Sequence, residues 1–338
     1  MDITFLIGNG FDLAYSLKTS YSDYYTNYVS DKLDCEGCLY FFKDDIASNL
    51  SSWADAELAL GAYTSKFSID NFADFKRCSD DFSINLAKYL KNQEDELDIE
   101  SYTSKIIPAF AKAILNFQLF LLPKPQKIIT TFFQKYRQDH RFYNFINFNY
   151  TTLFDRCIRH VANENLIQTR TEATNKYQDR IGRIVHIHGT DTSKLIMGVN
   201  DESQIVNPEF RSIRKIRRSL IKPEANESNH LGNDEICGQL ITNSRIIIVF
   251  GMSLGKTDKT WWETLKNWLS LDNERYLILF MHRKGYDDTI QSNYLEAEEE
   301  IENLFFENSG ATIEEQNSLR SRIFININIP LFGEIIRE

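Results

Sequence analysis

Four short polar segments carry the side chains able to do chemistry in this chain, and each ends an apolar, β-branched run. Gly8-Asn9-Gly10 follows residues 3–7. Asn147-Phe148-Asn149-Tyr150-Thr151 closes the run over 142–149. His186-Ile187-His188-Gly189 closes 183–188, and Gly251-Met252-Ser253-Leu254 follows 245–250. Glycines let a backbone approach a phosphate, and a helix that starts there aims its free N–H groups at the anion. Gly8, Asn9, Gly10, Phe11 and Asp12 are therefore candidate nucleotide-binding residues, with Asp12 also placed to cap the helix. Leu13 stands where the third glycine of a dinucleotide fingerprint would be. Asn149 suits a ribose hydroxyl or an attacking water, or else satisfies loop backbone. His188 suits a general base near neutral pH, or else a hydrogen-bonded structural role. His186 shares strand parity with His188, but two histidines without a third ligand make no zinc site, and no metal is expected. Gly251, Ser253 and Leu254 complete the rim. Asp258, before Trp261 and Trp262, either caps a helix or binds a ribose.

These segments need a scaffold that brings strand ends together. Strand-like runs over 3–7, 142–149, 183–188, 195–197, 245–250, 276–281 and 322–327 alternate with helical patterns over 151–161, 208–221, 258–269 and 294–305. Such alternation predicts an α/β fold: a doubly wound, mostly parallel, Rossmann-like sheet that binds ligands at the carboxyl ends of its strands. Residues 31–138 carry helical periodicity throughout and read as a large helical insertion after the first strand. The nucleotide-binding core is then 1–30 with 139–338. Residues 223–235 read as an exposed loop. The run 211–222 reads as an amphipathic helix with a positive, solvated face.

Composition narrows the partners. The net charge of -10 gives no bulk attraction to nucleic acid or an acidic membrane. No apolar run approaches the roughly 20 residues of a membrane span, and the start lacks a signal-peptide pattern, so a cytoplasmic location is expected. Five cysteines at irregular spacing argue against a disulfide framework, and Cys35-x-x-Cys38 has no second pair to complete a four-thiolate zinc site. The motifs of P-loop nucleotidases, α/β-hydrolases and H-E-x-x-H metalloproteases do not occur.

The opening IGNGFDLAYSLKTSYSDYY resembles the start of AbiH-type phage abortive-infection proteins. Trp53–Glu57 (W-A-D-A-E), Asn147–Thr151 (N-F-N-Y-T), His186–Gly189 (H-I-H-G) and Met197–Asp201 (M-G-V-N-D) follow in the order of that family. More remotely, the pattern is similar to sirtuin-like folds that bind NAD. There Gly8 and Gly10 match the first loop, Asn149 the asparagine, His188 the histidine, and Gly251 with Ser253 the late loop. The resemblance implies an antiphage effector that hydrolyses NAD, with Asn149 and His188 catalytic. The chain departs from sirtuins at Asn9 and Thr151 and lacks their paired-cysteine zinc module, so the resemblance implies NAD cleavage rather than deacylation. The partners it implies are a nucleotide ligand and further copies of the chain or a phage-derived trigger. Two other readings are a non-catalytic sensor of an NAD- or ADP-ribose-like ligand, and a nuclease or nucleic-acid effector using residues 211–222.

Overall fold

Alternate residues of the first strand go to opposite cores. Ile3, Phe5 and Ile7 enter one and Leu6 enters the other, and all four are fully buried. Ile246/Ile248 against Ile247/Val249, and Ile278/Phe280 against Leu277/Leu279, repeat the pattern. A strand apolar on both faces must be covered on both faces, which requires a sheet between two helical layers.

The computed structural model describes residues 1–335 apart from 164–167, 173–174, 192, 194, 231 and 288–289. The chain opens with β1 (Asp2–Ile7), α1 (Gly10–Ala14), α2 (Tyr21–Tyr28), α3 (Cys38–Ser48), α4 (Ala56–Tyr63), α5 (Phe72–Asp95), α6 (Thr103–Leu115) and α7 (Pro123–Lys135). It continues with β2 (Arg141–Asn147), α8 (Leu153–Asn163), β3 (Gln168–Glu172), β4 (Asn175–His186), α9 (Pro208–Ser212), α10 (Arg214–Leu220), α11 (Lys222–Ser228) and α12 (Asn233–Asn243). It ends with β5 (Ser244–Phe250), α13 (Lys259–Ser270), β6 (Tyr276–Met281), α14 (Gln291–Ser309), α15 (Ile313–Leu319) and β7 (Ile323–Ile327). The sheet order is β3-β4-β2-β1-β5-β6-β7, and only β3 is antiparallel to its neighbour. From β1 the chain steps outward to β2 and β4 on one side, then to β5, β6 and β7 on the other. The order therefore reverses at β1, whose carboxyl end lies between those of β2 and β5.

The helical stretch between β1 and β2 divides between two cores. Its later part (Ile106, Phe110 and Ile114 of α6; Ile129 and Phe132 of α7) packs on the sheet with Phe154 and Cys157 of α8. Its earlier part forms a separate core in which Tyr24, Phe42, Trp53, Leu60, Phe75, Phe82 and Leu86 meet Met197, Val199, Phe210 and Leu220. In α5 the residues Phe75, Cys78, Phe82, Leu86 and Leu90 recur every three or four positions, which lines one helix face with apolar groups.

Several expectations need correction. Residues 195–197 form no strand, because Met197 goes into the helical core, and their stretch contributes only an isolated bridge from Val199 to Ile221. The span 208–221 is two helices broken at Ile213, which is extended. Residues 223–235 are mostly helix: Pro223 sits in the first turn of α11, Ala225 and Asn226 are buried, and α12 starts at Asn233. Residue 231 lies outside the described residues. Finally, β2 ends at Asn147, and β4 is far longer than 183–188 because β3 pairs with its polar first half. Among the described residues no helix is long and apolar enough to cross a membrane.

Candidate functional site

At the carboxyl end of β1 two backbones touch. The Gly8 amide donates to Phe250 O at 2.9 Å, and the Gly10 amide donates to Gly251 O at 2.8 Å. A Cβ on Gly10 would lie 2.6 Å from Gly251 Cα, and one on Gly8 would lie 2.6 Å from Gly251 O. Gly251 itself has φ +72°. The glycines therefore serve first to join the loops after β1 and β5. The Phe11 amide donates to Gly8 O at 3.0 Å, so the amides of Gly8, Gly10 and Phe11 are all bonded within the protein. Asn9 is tied at both ends of its amide to Thr19, through Thr19 O at 3.1 Å and Thr19 Oγ1 at 2.6 Å. The Phe11 ring belongs to the aromatic core, edge-on to Phe110, Phe154 and Phe332.

Asp12 does not cap α1. It is buried and crosses to the loop after β2, where Asn149 Nδ2 donates to Oδ1 at 3.2 Å and Thr151 Oγ1 donates to Oδ2 at 2.7 Å. Burial pushes the Asp12 carboxyl up to about 7, against the Thr151 hydrogen bond and with the nearby Glu94 adding to the rise. Asn149 is 5% exposed, its N–H donates to Asn147 Oδ1 at 3.0 Å, and its own Oδ1 has no partner among the described residues. The Asn147 amide nitrogen is also buried without a partner. Buried polar atoms are almost always paired, so an open acceptor and an open donor two residues apart at a strand end are able to take up a ligand or water. When ionised, Asp12 only accepts, so it is Nδ2 of Asn149 that faces it.

The rise of Asp12 from 3.8 to about 7 has a stability consequence. Between those pH values the folded chain keeps a proton that the unfolded chain releases. The contribution is fully present below about pH 4 and is lost as pH climbs through about 7. Relative to Asp12→Asn, the wild type should lose on the order of 4 kcal/mol across that window, read as the pH dependence of the urea midpoint. A constant difference between the two proteins from pH 4 to 8 would contradict it.

The two histidines go to different neighbours. His186 Nε2 meets Asp155 Oδ2 at 2.7 Å and Nδ1 meets Asn149 O at 3.1 Å. Burial opposes its charge, but Asp155 raises its pKa on balance. His188 is buried between Phe148 and Tyr150, with ring centroids at 5.8 and 6.4 Å. Among the described residues its ring makes no hydrogen bond. Burial, and then Lys222, hold its pKa well below the usual value, so the imidazole is neutral at physiological pH.

Lys222 belongs to the run expected to be solvated, yet it is 4% exposed. Its Nζ lies 2.7 Å from Glu57 Oε2 and 3.6 Å from Asp258 Oδ1. Burial works against its charge, and Glu57, Asp258 and Asp55 more than offset this. Tyr150 donates to Glu57 Oε1 at 2.9 Å. Asp258 stands at the N-cap of α13 but makes no cap hydrogen bond, because it faces Lys222 instead. Arg217 pairs with Glu202 and Glu224, so the positive face expected over 211–222 is broken up. Ser253 is exposed at the rim, whereas Leu254 is fully buried in the second sheet core and gives its carbonyl to Asn308.

The structure thus gathers Asp12, Asn149 and His188 near the ends of β1, β2 and β4. It adds Glu57, Glu94, Tyr150, Thr151, Asp155 and Lys222, which residue spacing did not single out as site residues. Glu57 carried a signal as the last residue of W-A-D-A-E. Lys222 carried none, being one of several cations in a basic run. Beside the loop after β2 lies a cavity of about 290 Å³ lined by Lys91, Glu94, Asp95, Thr152, Arg156 and Asp191. Among the described residues no group of three or more His, Cys, Asp or Glu is disposed to hold a metal ion.

The family model for bacteriophage abortive infection AbiH matches residues 4–280. The chain belongs to the AbiH family. The match runs from β1 through β6, so every strand end named above lies inside the AbiH region. Membership of the AbiH family implies a part in antiphage abortive infection. No curated protein matches the chain.

Proposed function

We propose that this AbiH chain is the effector of abortive infection and acts by hydrolysing NAD at the nicotinamide–ribose bond. The observation that carries the reading is the Asn149 amide: its nitrogen is held by Asp12 and its buried oxygen is open. The sheet supports it. Counting only the parallel strands in chain order, the arrangement is 3-2-1-4-5-6, the Rossmann-like order in which nucleotides lie across the switch point. Cleavage of the nicotinamide–ribose bond builds positive charge on the ribose. Asn149 Oδ1 accepts from a ribose hydroxyl or from the attacking water and fixes it. The neutral His188 takes the proton of that water. The amides of Asn9 and Asp12, with the rim at Gly251 and Ser253, face the dinucleotide. Loss of the cofactor then stops the infected cell. This chemistry belongs in the cytoplasm, where NAD is held.

His188→Ala should lower the release of nicotinamide from NAD by about 10²-fold or more, the usual loss with a general base. The product assay is chromatography of NAD, nicotinamide and ADP-ribose after incubation with the purified protein. Nicotinamide release that is equal in wild type and variant would sink the assignment. The second reading is a non-catalytic nucleotide sensor. It is favoured by the closed packing of Gly8, Gly10 and Gly251, whose amides and carbonyls already serve each other. Calorimetric binding of ADP-ribose with no consumption of NAD would replace hydrolysis by that reading.

A further inference from the structure

Residues 149–152, between β2 and α8, are held by three carboxylates from three helices. Asn149 and Thr151 donate to Asp12 of α1. Tyr150 donates to Glu57 of α4 at 2.9 Å. Thr152, immediately before α8, donates its amide to Glu94 Oε2 and its hydroxyl to Glu94 Oε1, both at 2.9 Å. Residues 149 and 151 therefore go to α1, and residues 150 and 152 go to α4 and α5 of the helical segment that follows it. Glu57 and Glu94 are 7% and 4% exposed. Each has a cation close by: Lys222 on Glu57, and Arg156, whose guanidinium also donates to Glu94 O at 3.4 Å. Neither carboxylate is needed to close the apolar cores, because those are filled by other side chains.

A buried carboxylate costs desolvation, so two of them on alternate residues of one short loop are a demanding way to hold it. What they hold is direction. The Asn149 amide is tied to Asp12 at its nitrogen and carried on the backbone of residues 149–152, so a shift of that backbone moves its open oxygen. An error of about 1 Å at a reacting group lowers rate by on the order of 10²-fold.

We propose that Glu57 and Glu94 are positioning residues: by fixing residues 150 and 152 they set the direction of the Asn149 amide, so the helical segment governs whether the site is competent. The turnover part rests on the NAD-hydrolysis reading; the structural part does not.

The test uses the full chain with Glu94→Leu, which removes both acceptors of Thr152. The double variant Glu57→Leu/Lys222→Met accompanies it and removes the acceptor of Tyr150 together with the cation paired to it. Amide exchange followed by NMR without substrate is measured at Asn149 and Tyr150, with β5 and β6 as the fold control. Both variants should speed exchange at Asn149 and Tyr150 by about tenfold or more and leave β5 and β6 unchanged. On NAD, kcat should fall by about tenfold or more with KM within about twofold, and Glu94→Asp should recover part of the loss. Unchanged exchange at Asn149 in a folded variant overturns the proposal. So does unchanged kcat where the wild type hydrolyses NAD. If the wild type leaves NAD intact, the functional reading fails and the exchange result alone decides. If either variant loses protection in β5 and β6, Glu94→Asp is judged by the same two criteria.

Discussion

Asn149→Ala is expected to lower NAD turnover by roughly 10²- to 10³-fold while the affinity for ADP-ribose changes by less than about threefold. The substitution removes a buried acceptor that has no partner among the described residues. It leaves the loop tied by Glu57 and Glu94 and leaves Asp12 with its Thr151 hydrogen bond. An interaction made chiefly as charge develops on the ribose appears in kcat, whereas one made equally in the ground state appears in KM. The readouts are nicotinamide release at saturating NAD and calorimetry with ADP-ribose. Asn149→Asp is a sharper control, since it is isosteric. It would set a second carboxylate about where Nδ2 now lies, 3.2 Å from Asp12 Oδ1, and one of the pair would have to hold a proton. Its residual activity should therefore depend on pH near neutrality. Equal kcat in wild type and Asn149→Ala would remove this residue from the chemistry.

The second large effect concerns the fold under the site. Gly10→Ala is expected to cost on the order of 3 kcal/mol or more, because its Cβ would lie 2.6 Å from Gly251 Cα. The obstructing atom is backbone, so no rotamer change relieves it. Moving either loop lengthens the 2.8 Å bond from Gly10 N to Gly251 O and separates the ends of β1 and β5. Gly238→Ala provides the contrast. Gly238 lies inside α12 with nothing within 4 Å of a built Cβ, so alanine should add up to about 1 kcal/mol through helix propensity. Urea unfolding of the two variants checks both signs. Near-equal midpoints would show that the close approach of the two loops tolerates a methyl group.

The central strands were readable because their runs are apolar on both faces, as at Ile246, Ile247, Ile248 and Val249. The β3–β4 hairpin was not, since Gln168–Glu172 and the first half of β4 are polar residues at an edge and carry no apolar period. α11 is hidden in the sequence for the opposite reason. Its residues look like a loop, and burial of Ala225 and Asn226 against other elements makes the helix. The positions of Asn149 and His188 at neighbouring strand ends followed from the alternation of strands and helices. Their partners did not: Asp12 reads as a helix cap and Lys222 as a solvated cation, and only the tertiary fold brings them to Asn149 and His188. The glycines of Gly8-Asn9-Gly10 were legible as a close approach. The group that approaches is the Gly251 turn, with any phosphate coming second.

The most direct test of the account is the nucleotide content of phage-infected cells that express the wild-type chain or Asn149→Ala, followed by mass spectrometry. NAD is expected to fall and nicotinamide and ADP-ribose to rise together in the wild type, with both changes and phage protection absent in the variant. Phage protection by the wild type with NAD intact would contradict it.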